Sequence, residues 1–220
     1  MNDLNQLLLK FKQKQNFDNQ DFFVSKSNFY AYELIESWPR WEKNILNLHG
    51  ERFSGKTHLT NIFINKYKGK KIESENLCDD DLKKLKLHEN IILDSFNNNV
   101  DERLLYALFN MVDLSNKYLI INSLKPINEM NFELNDIKSR SKNCLFAKIS
   151  NPDDELIFAL ILKSFSDKQI KIDKKIIDFI TKRIDRSYSK ISEFIYKIDE
   201  LSLKKKKPIN IKTVNEILKE

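Results

Sequence analysis

The sequence predicts an α/β protein with a parallel β-sheet, followed by a smaller domain made of helices alone. Three observations support this fold class. A glycine-containing loop follows an apolar strand at residues 50–57, further apolar runs alternate with helical stretches up to residue 150, and only helical periodicity follows. Alternating strands and helices are typical of a parallel sheet covered on both faces, which binds its ligand at the carboxyl ends of the strands.

Gly50–Thr57 reads G-E-R-F-S-G-K-T and contains two of the three glycines in the chain. This is the G-x-x-x-x-G-K-T pattern, in which a loop turns its backbone N–H groups toward a phosphate chain. In this pattern Lys56 reaches the β- and γ-phosphates, the Thr57 hydroxyl binds Mg²⁺, and the following helix points its positive end at the anion. An apolar stretch at 44–48 and helix-compatible residues at 58–63 supply the strand and helix that the motif requires.

The next buried strand, Ile91–Asp94, ends in an acidic residue. Behind a phosphate-binding loop this is the Walker B pattern, in which a core strand places one carboxylate beside the metal-bound Thr57. We therefore predict that Asp94 and Thr57 hold Mg²⁺ together. Further strands are predicted at 69–74, 118–123 and 144–149, and a helix at 102–114.

Beyond Pro152 the pattern becomes helical throughout. Apolar residues spaced three and four apart predict a small helical domain at 151–220, after an α/β domain at 21–150 and an N-terminal segment at 1–20. The basic run Lys204–Lys207 is interpreted as a loop that is solvated by default, with nucleic-acid contact as the less favoured alternative. The four helices are predicted at 153–165, 173–183, 187–203 and 212–219.

Composition restricts the class of protein. The chain has 220 residues, 41% hydrophobic and 32% charged, which is typical of a soluble globular protein. No apolar run reaches the roughly 18 residues of a membrane span, and no signal peptide is evident, so we expect a cytoplasmic protein without a membrane partner. Cys78 and Cys144 are interpreted as reduced thiols. The net charge of +6 would permit weak, non-specific contact with DNA, although a solvated basic surface is the commoner explanation.

A phosphate-binding sheet domain followed by a helical lid resembles the AAA+ ATPases, and the motifs are similar to those of DnaA-related proteins. Gly50–Leu59 is similar to their G-x-x-G-x-G-K-T-H-L loop, with Phe53 in place of one glycine, which we expect to stiffen the loop and keep its phosphate cradle. Residues 21–28 resemble the segment that touches adenine, and Arg186 resembles the sensor 2 arginine that reaches the phosphates. The residues thus implied to bind ADP or ATP are Phe23, Val24, Gly50, Ser54, Gly55, Lys56, Thr57, His58 and Arg186.

Two polar groups of active family members are replaced. Ser95 follows Asp94, where an active enzyme has a second acid that orients the attacking water. Leu124 replaces the polar residue after the sensor 1 strand, for which Asn122 or Ser123 could substitute. Since loss of the general base costs on the order of a hundredfold in rate, we expect nucleotide binding with weak intrinsic ATP hydrolysis.

Leu134–Arg140 is similar to the family motif L-x-D-L-x-S-R. Its arginine acts as a finger toward the nucleotide of a neighbouring subunit, where a guanidinium stabilises charge on the transferred phosphoryl group. The resemblance therefore implies that Arg140 is a catalytic residue acting in trans.

Near the N-terminus, residues 6–11 resemble the clamp-binding peptide Q-x-x-L-x-F of the Hda group within the DnaA-related proteins. In that peptide glutamine contacts the rim of a pocket on the DNA sliding clamp, the β subunit of DNA polymerase III, and apolar residues fill the pocket. A helical turn packed on the domain would give the same pattern. The implied clamp-binding residues are Gln6, Leu7, Leu9 and Phe11.

The clamp peptide and the end of the chain at Glu220, without room for a DNA-binding domain, favour the Hda group over full initiators. The resemblance implies a nucleotide-binding regulator that docks on the clamp and stimulates ATP hydrolysis by DnaA, limiting initiation of chromosome replication. A homodimer is compatible with it. Two alternatives stay open: a self-contained loader or remodelling ATPase, and a clamp-bound adaptor with no effect on DnaA.

Overall fold

The computed structural model describes residues 22–168, 172–205 and 209–218. A five-stranded sheet with the order β2-β3-β4-β1-β5 forms the centre of the first part of the chain. Every neighbouring pair is parallel, as predicted. The strands are β1 (Ile45–Gly50), β2 (Lys70–Glu73), β3 (Asn90–Phe96), β4 (Tyr118–Ser123) and β5 (Leu145–Ile149).

Helices cover both faces of this sheet. One apolar cluster joins one sheet face to α1 and α2, including Leu59 and Phe63, and the other joins the opposite face to α3, α4 and α5, including Leu105 and Ile137. Short 3₁₀ helices occur at Ser74–Asn76 and Ile127–Glu129. The five helices are α1 (Phe29–Glu36), α2 (Lys56–Tyr67), α3 (Asp79–Leu85), α4 (Glu102–Leu114) and α5 (Asn135–Lys142).

The last part of the chain is helical and has its own apolar core. Ile157, Phe165 and Ile198 are fully buried in it. Asp153 begins the first of these helices, because its side chain accepts a hydrogen bond from the backbone N–H of Leu156 at 2.8 Å. The helices are α6 (Asp154–Asp167), α7 (Lys174–Thr181), α8 (Tyr188–Lys205) and α9 (Ile211–Leu218), close to the four predicted stretches.

Within the described ranges, the structure has no helix with both the length and the apolar character needed to cross a membrane. The predicted clamp-binding residues Gln6, Leu7, Leu9 and Phe11 lie outside the described ranges.

Candidate nucleotide-binding site

The loop between β1 and α2 has the backbone geometry of a phosphate-binding loop. A Cβ on Gly50 would lie 2.7 Å from the carbonyl oxygen of Ile149, so only glycine fits beside β5. Gly55 adopts a left-handed conformation with φ 94° and begins α2. No side chain in the described structure caps this helix end, so its first N–H groups are oriented to meet an anion.

Phe53 occupies the left-handed region at the position where related loops carry glycine. Its φ is 65°, and its side chain is 64% exposed. For a residue with a Cβ this conformation is less stable by about 1–2 kcal/mol than the right-handed one. The loop therefore keeps a glycine-like backbone without glycine, and the aromatic ring projects into solvent beside the guanidinium of Arg52, 5.8 Å from the ring centre.

Lys56 lies inside the concave side of the loop. Its ammonium donates hydrogen bonds to the carbonyl oxygens of Gly50 at 2.8 Å and Glu51 at 2.7 Å, and to the hydroxyl of Ser54 at 3.3 Å. Burial lowers the pKa of Lys56 to about 8, an effect that the negative charges of Asp94 and Glu51 partly oppose. Negative charge from a phosphate would favour the protonated form of this amine, so the site is suited to an anion.

Thr57 and Asp94 meet as the two motifs predict. The Thr57 hydroxyl donates to Asp94 Oδ1 at 3.3 Å, and Asp94 is 3% exposed. A register shift between Leu93 and Phe96, with Ser95 at φ 56°, interrupts β3 at this point. The Ser95 N–H then bonds Asp94 Oδ1 at 2.9 Å, which fixes the direction of the carboxylate.

These two oxygen donors fit Mg²⁺. In nucleotide sites Mg²⁺ takes only one or two protein ligands and is completed by phosphate oxygens and water. The described residues contain no group of three or more histidine, cysteine, aspartate or glutamate side chains that could hold a metal by themselves. Thr57 and Asp94 would therefore hold Mg²⁺ together with the phosphates of a bound nucleotide.

Asn122 lies at the end of β4 and contacts the same carboxylate. Its amide donates to Asp94 Oδ1 at 2.9 Å and to the Thr60 hydroxyl at 3.2 Å, and its side chain is fully buried. Ser123, the other candidate for the sensor role, donates instead to the carbonyl oxygen of Lys125 at 2.6 Å. Of the two candidates, Asn122 is thus the one that contacts Asp94. Leu124, which replaces the polar residue of the family, has a side chain that is 60% exposed.

Sequence reasoning missed a cation at this site. The Lys71 ammonium lies 3.3 Å from Asp94 Oδ2. Nothing in the sequence distinguishes Lys71 from its neighbour Lys70, because both belong to a short charged strand. Only the pairing of β2 with β3 brings Lys71 to the Walker B carboxylate.

Glu51 joins the loop to the lid. Its carboxylate accepts hydrogen bonds from the Ser187 hydroxyl at 2.5 Å and from the backbone N–H groups of Tyr188 at 2.9 Å and Ser189 at 3.1 Å. It thereby caps the start of α8 from another domain. Because Glu51 occupies a variable position of the motif, no sequence signal marked it.

Replacing Glu51 with glutamine should lower stability and change its pH dependence. Burial alone would raise the pKa of Glu51, but the hydrogen bonds from Ser187, Ser189 and Tyr188 outweigh it and lower the pKa below 4.5. Stabilisation by the carboxylate is therefore present above the unfolded pKa and lost as pH falls through the lower folded value. Glu51→Gln should reduce the free energy of unfolding at pH 7 by about 1 kcal/mol after solvent screening.

Urea unfolding between about pH 7 and pH 3 measures both effects. Glu75→Gln, which removes a carboxylate from an exposed residue of a 3₁₀ helix, is the control. Equal pH profiles for the two variants would contradict the proposed contribution of Glu51.

Arg186 directly precedes Ser187, the residue whose hydroxyl contacts Glu51 of the loop. Its guanidinium pairs with Asp154 at 2.9 Å rather than with a residue of the loop, and its side chain is 63% exposed. The sensor 2 assignment thus stays a prediction that requires the side chain to change partner.

The segment predicted to touch adenine contacts the loop through Phe22, which directly precedes the predicted residues Phe23 and Val24. A Cβ on Gly55 would be 3.3 Å from the Phe22 ring, and this ring packs edge-on to His58 with centres 5.4 Å apart. Phe23 is 47% exposed and Val24 is partly buried. Phe22 is therefore the aromatic residue that the structure places at the loop.

Arg140 lies far from this chain's own loop in the topology of the sheet. It lies in the last turn of α5, which leads to the amino end of β5, and lines a pocket with Asn44 and Ile45 at the amino edge of the strands. The phosphate-binding loop leaves the opposite, carboxyl edge. The Arg140 guanidinium bonds Asp113 and, at 2.6 Å, Asn110 of α4. These contacts hold Arg140 at the edge of the sheet opposite to the loop of its own chain, and its predicted role toward another molecule stays a prediction.

The chain is similar to known proteins in sequence and in structure. No family model matches the chain. In sequence it is 27% identical to the chromosomal replication initiator protein DnaA of Helicobacter hepaticus over 193 residues, 75% of this chain and 41% of that protein. The chain thus spans less than half of that relative.

Solved structures share the fold. Domain III of Thermotoga maritima DnaA superposes with a TM-score of 0.74 at 19% identity, covering 92% of this chain and 95% of that one. A replication initiator DnaA bound to AMPPCP and single-stranded DNA matches with a TM-score of 0.67 at 19% identity, over 85% of this chain and 67% of that one.

Proposed function

We propose that this DnaA-related AAA+ protein binds ATP or ADP with Mg²⁺ and regulates DnaA at the sliding clamp. The observation that carries nucleotide binding is the convergence of Lys56, Thr57 and Asp94 at the uncapped start of α2. A DnaA structure of the same fold holds the nucleotide analogue AMPPCP, which supports this assignment.

Each polar group has a distinct role in the proposed site. The Lys56 ammonium exchanges loop carbonyls for phosphate oxygens, and the α2 N–H groups bind the same anion. Asn122 and the Ser95 N–H hold Asp94 in place. Mg²⁺, when bound, would neutralise charge between the phosphates. Because Ser95 carries no carboxylate, this site is suited to hold a nucleotide rather than to hydrolyse it rapidly.

The regulatory role rests on Arg140. Its position at the amino edge of the sheet cannot complete the site of its own chain, but it can complete one on a neighbouring molecule. We infer that the neighbour is ATP-bound DnaA, because the two proteins are similar in sequence and so can pack as related subunits. Direct DNA contact would be weak and non-specific, arising from the net charge of +6.

Arg140 also admits a second function. Its contacts with Asp113 and Asn110 tie α5 to α4, as a purely structural arginine would. In that case the protein is an adaptor that binds the clamp without affecting DnaA.

Replacing both Gln6 and Phe11 with alanine should abolish docking on the clamp. The two side chains are the polar and aromatic anchors of the peptide, and loss of two such anchors weakens binding by roughly a hundredfold or more. Surface plasmon resonance with the purified clamp measures this. Lys10→Ala, between the anchors, should bind normally. Unchanged affinity of the double variant would remove residues 6–11 from the interface.

A further inference from the structure

Strand pairing places Lys71 on the side of the sheet that carries Asp94. In the parallel pair of β2 and β3, Lys71 lies beside Ile92 and Glu73 lies beside Asp94. Neighbouring side chains in register point to the same face, as do residues two apart on one strand. Lys71, Glu73 and Asp94 therefore share one face, and Lys70 points to the other.

Lys71 stands between a buried and an exposed carboxylate. Its ammonium is 3.3 Å from Asp94 Oδ2 and 3.6 Å from Glu73 Oε1. The Asp94 side chain is 4% exposed, whereas that of Glu73 is 45% exposed. A small movement of the lysine side chain would thus transfer the ammonium from Asp94 to Glu73.

The two oxygens of Asp94 have different partners. Oδ1 accepts hydrogen bonds from Thr57, Ser95 and Asn122, all neutral groups. Oδ2 contacts Lys71, which supplies the positive charge that a buried carboxylate requires. A divalent cation bound to Asp94 would lie close to this ammonium and be repelled by it.

We propose that Lys71 is a further residue of the nucleotide site, an internal cation that neutralises Asp94 and competes there with Mg²⁺. Mg²⁺ binds to Asp94 only when Lys71 moves to Glu73. The affinity for Mg²⁺ is therefore reduced, and nucleotide binds with little dependence on the metal. This inference rests on the proposed nucleotide binding.

Two substitutions shift the Mg²⁺ affinity in opposite directions. Lys71→Gln removes the competing charge and should lower the apparent Kd for Mg²⁺ about tenfold in the nucleotide-bound protein. Glu73→Gln removes the alternative partner of Lys71 and should raise that Kd about threefold. Lys70→Gln makes the same charge change on the other face and should leave it unchanged.

The measurement is titration of each protein with Mg²⁺ at saturating fluorescent ADP, together with ADP affinity in EDTA. In the unaltered protein ADP should bind in EDTA within about tenfold of its affinity with Mg²⁺. If ADP binds but Lys71→Gln and Glu73→Gln both match Lys70→Gln, the role of Lys71 is wrong while nucleotide binding stands. If the unaltered protein binds no nucleotide with or without Mg²⁺, the proposed function fails and this inference fails with it.

Discussion

Lys56→Ala should weaken ADP and ATP binding by about a hundredfold or more, because it removes the one ammonium held inside the loop, where phosphate oxygens would lie. Calorimetric titration of the purified variant measures the change. Lys66→Ala is the matched control, since it removes the same charge from the same helix at an exposed position paired with Glu36. Thermal unfolding of both variants tests whether the fold is retained.

A folded Lys56→Ala protein that binds nucleotide as tightly as the unaltered protein would contradict the assignment of the loop. The lowered pKa of Lys56, about 8, adds a second signature. Binding above about pH 8 should require proton uptake by this amine, so nucleotide affinity should fall as pH rises from 7 to 9. Lys56→Ala should lack this part of the pH dependence.

Arg140→Ala should reduce stimulated ATP hydrolysis by DnaA to the rate of DnaA alone, a loss of roughly a thousandfold if the finger has its usual effect. The guanidinium would stabilise charge on the phosphoryl group transferred in the neighbour's site. The measurement is phosphate release by DnaA in the presence of this protein and DNA-loaded clamp.

The contact between Arg140 and Asp113 provides the control for a structural role. Asp113→Asn removes the paired charge and leaves the guanidinium in place. If Arg140 acts as a finger, this variant should stimulate DnaA at least as well as the unaltered protein, because the arginine is less firmly held. If Arg140 supports stimulation only by tying α5 to α4, both variants should show the same loss, whereas an adaptor would show no stimulation with any of the three proteins.

The order of strands and helices could be predicted because burial on both faces makes the central strands continuously apolar. Ile91–Leu93 and Leu119–Ile121 are fully or almost fully buried, and no polar alternation obscures them. The loop could be predicted because its backbone geometry requires glycine at two positions. Gly50 faces a carbonyl of β5, and Gly55 adopts a left-handed conformation.

Helix α3 was not predicted because its sequence lacks an apolar period. Its signal lies in charge instead. The first turn carries Asp79, Asp80 and Asp81, and the last turn carries Lys83 and Lys84. The charges at both ends therefore interact favourably with the helix dipole. Hydrophobic periodicity alone therefore misses a short helix that packs only a few apolar side chains.

The contacts of Glu51 and Lys71 could not be predicted from the sequence because both depend on tertiary structure. Glu51 meets Ser187 across 136 residues, and Lys71 meets Asp94 through strand pairing. Asn122 was predicted only as one of two candidates for the sensor role. Which of Asn122 and Ser123 contacts Asp94 depends on where β4 ends. Motifs thus predicted residues for nucleotide contact, and the fold added residues that position some of them.

The most direct test of the account is the rate of ATP hydrolysis by DnaA on DNA-loaded clamp, with this protein present or absent. Stimulation of roughly a thousandfold is expected, and it should be lost when the clamp is omitted. An unchanged rate, with nucleotide and clamp both bound to this protein, would contradict a regulatory role and leave an adaptor.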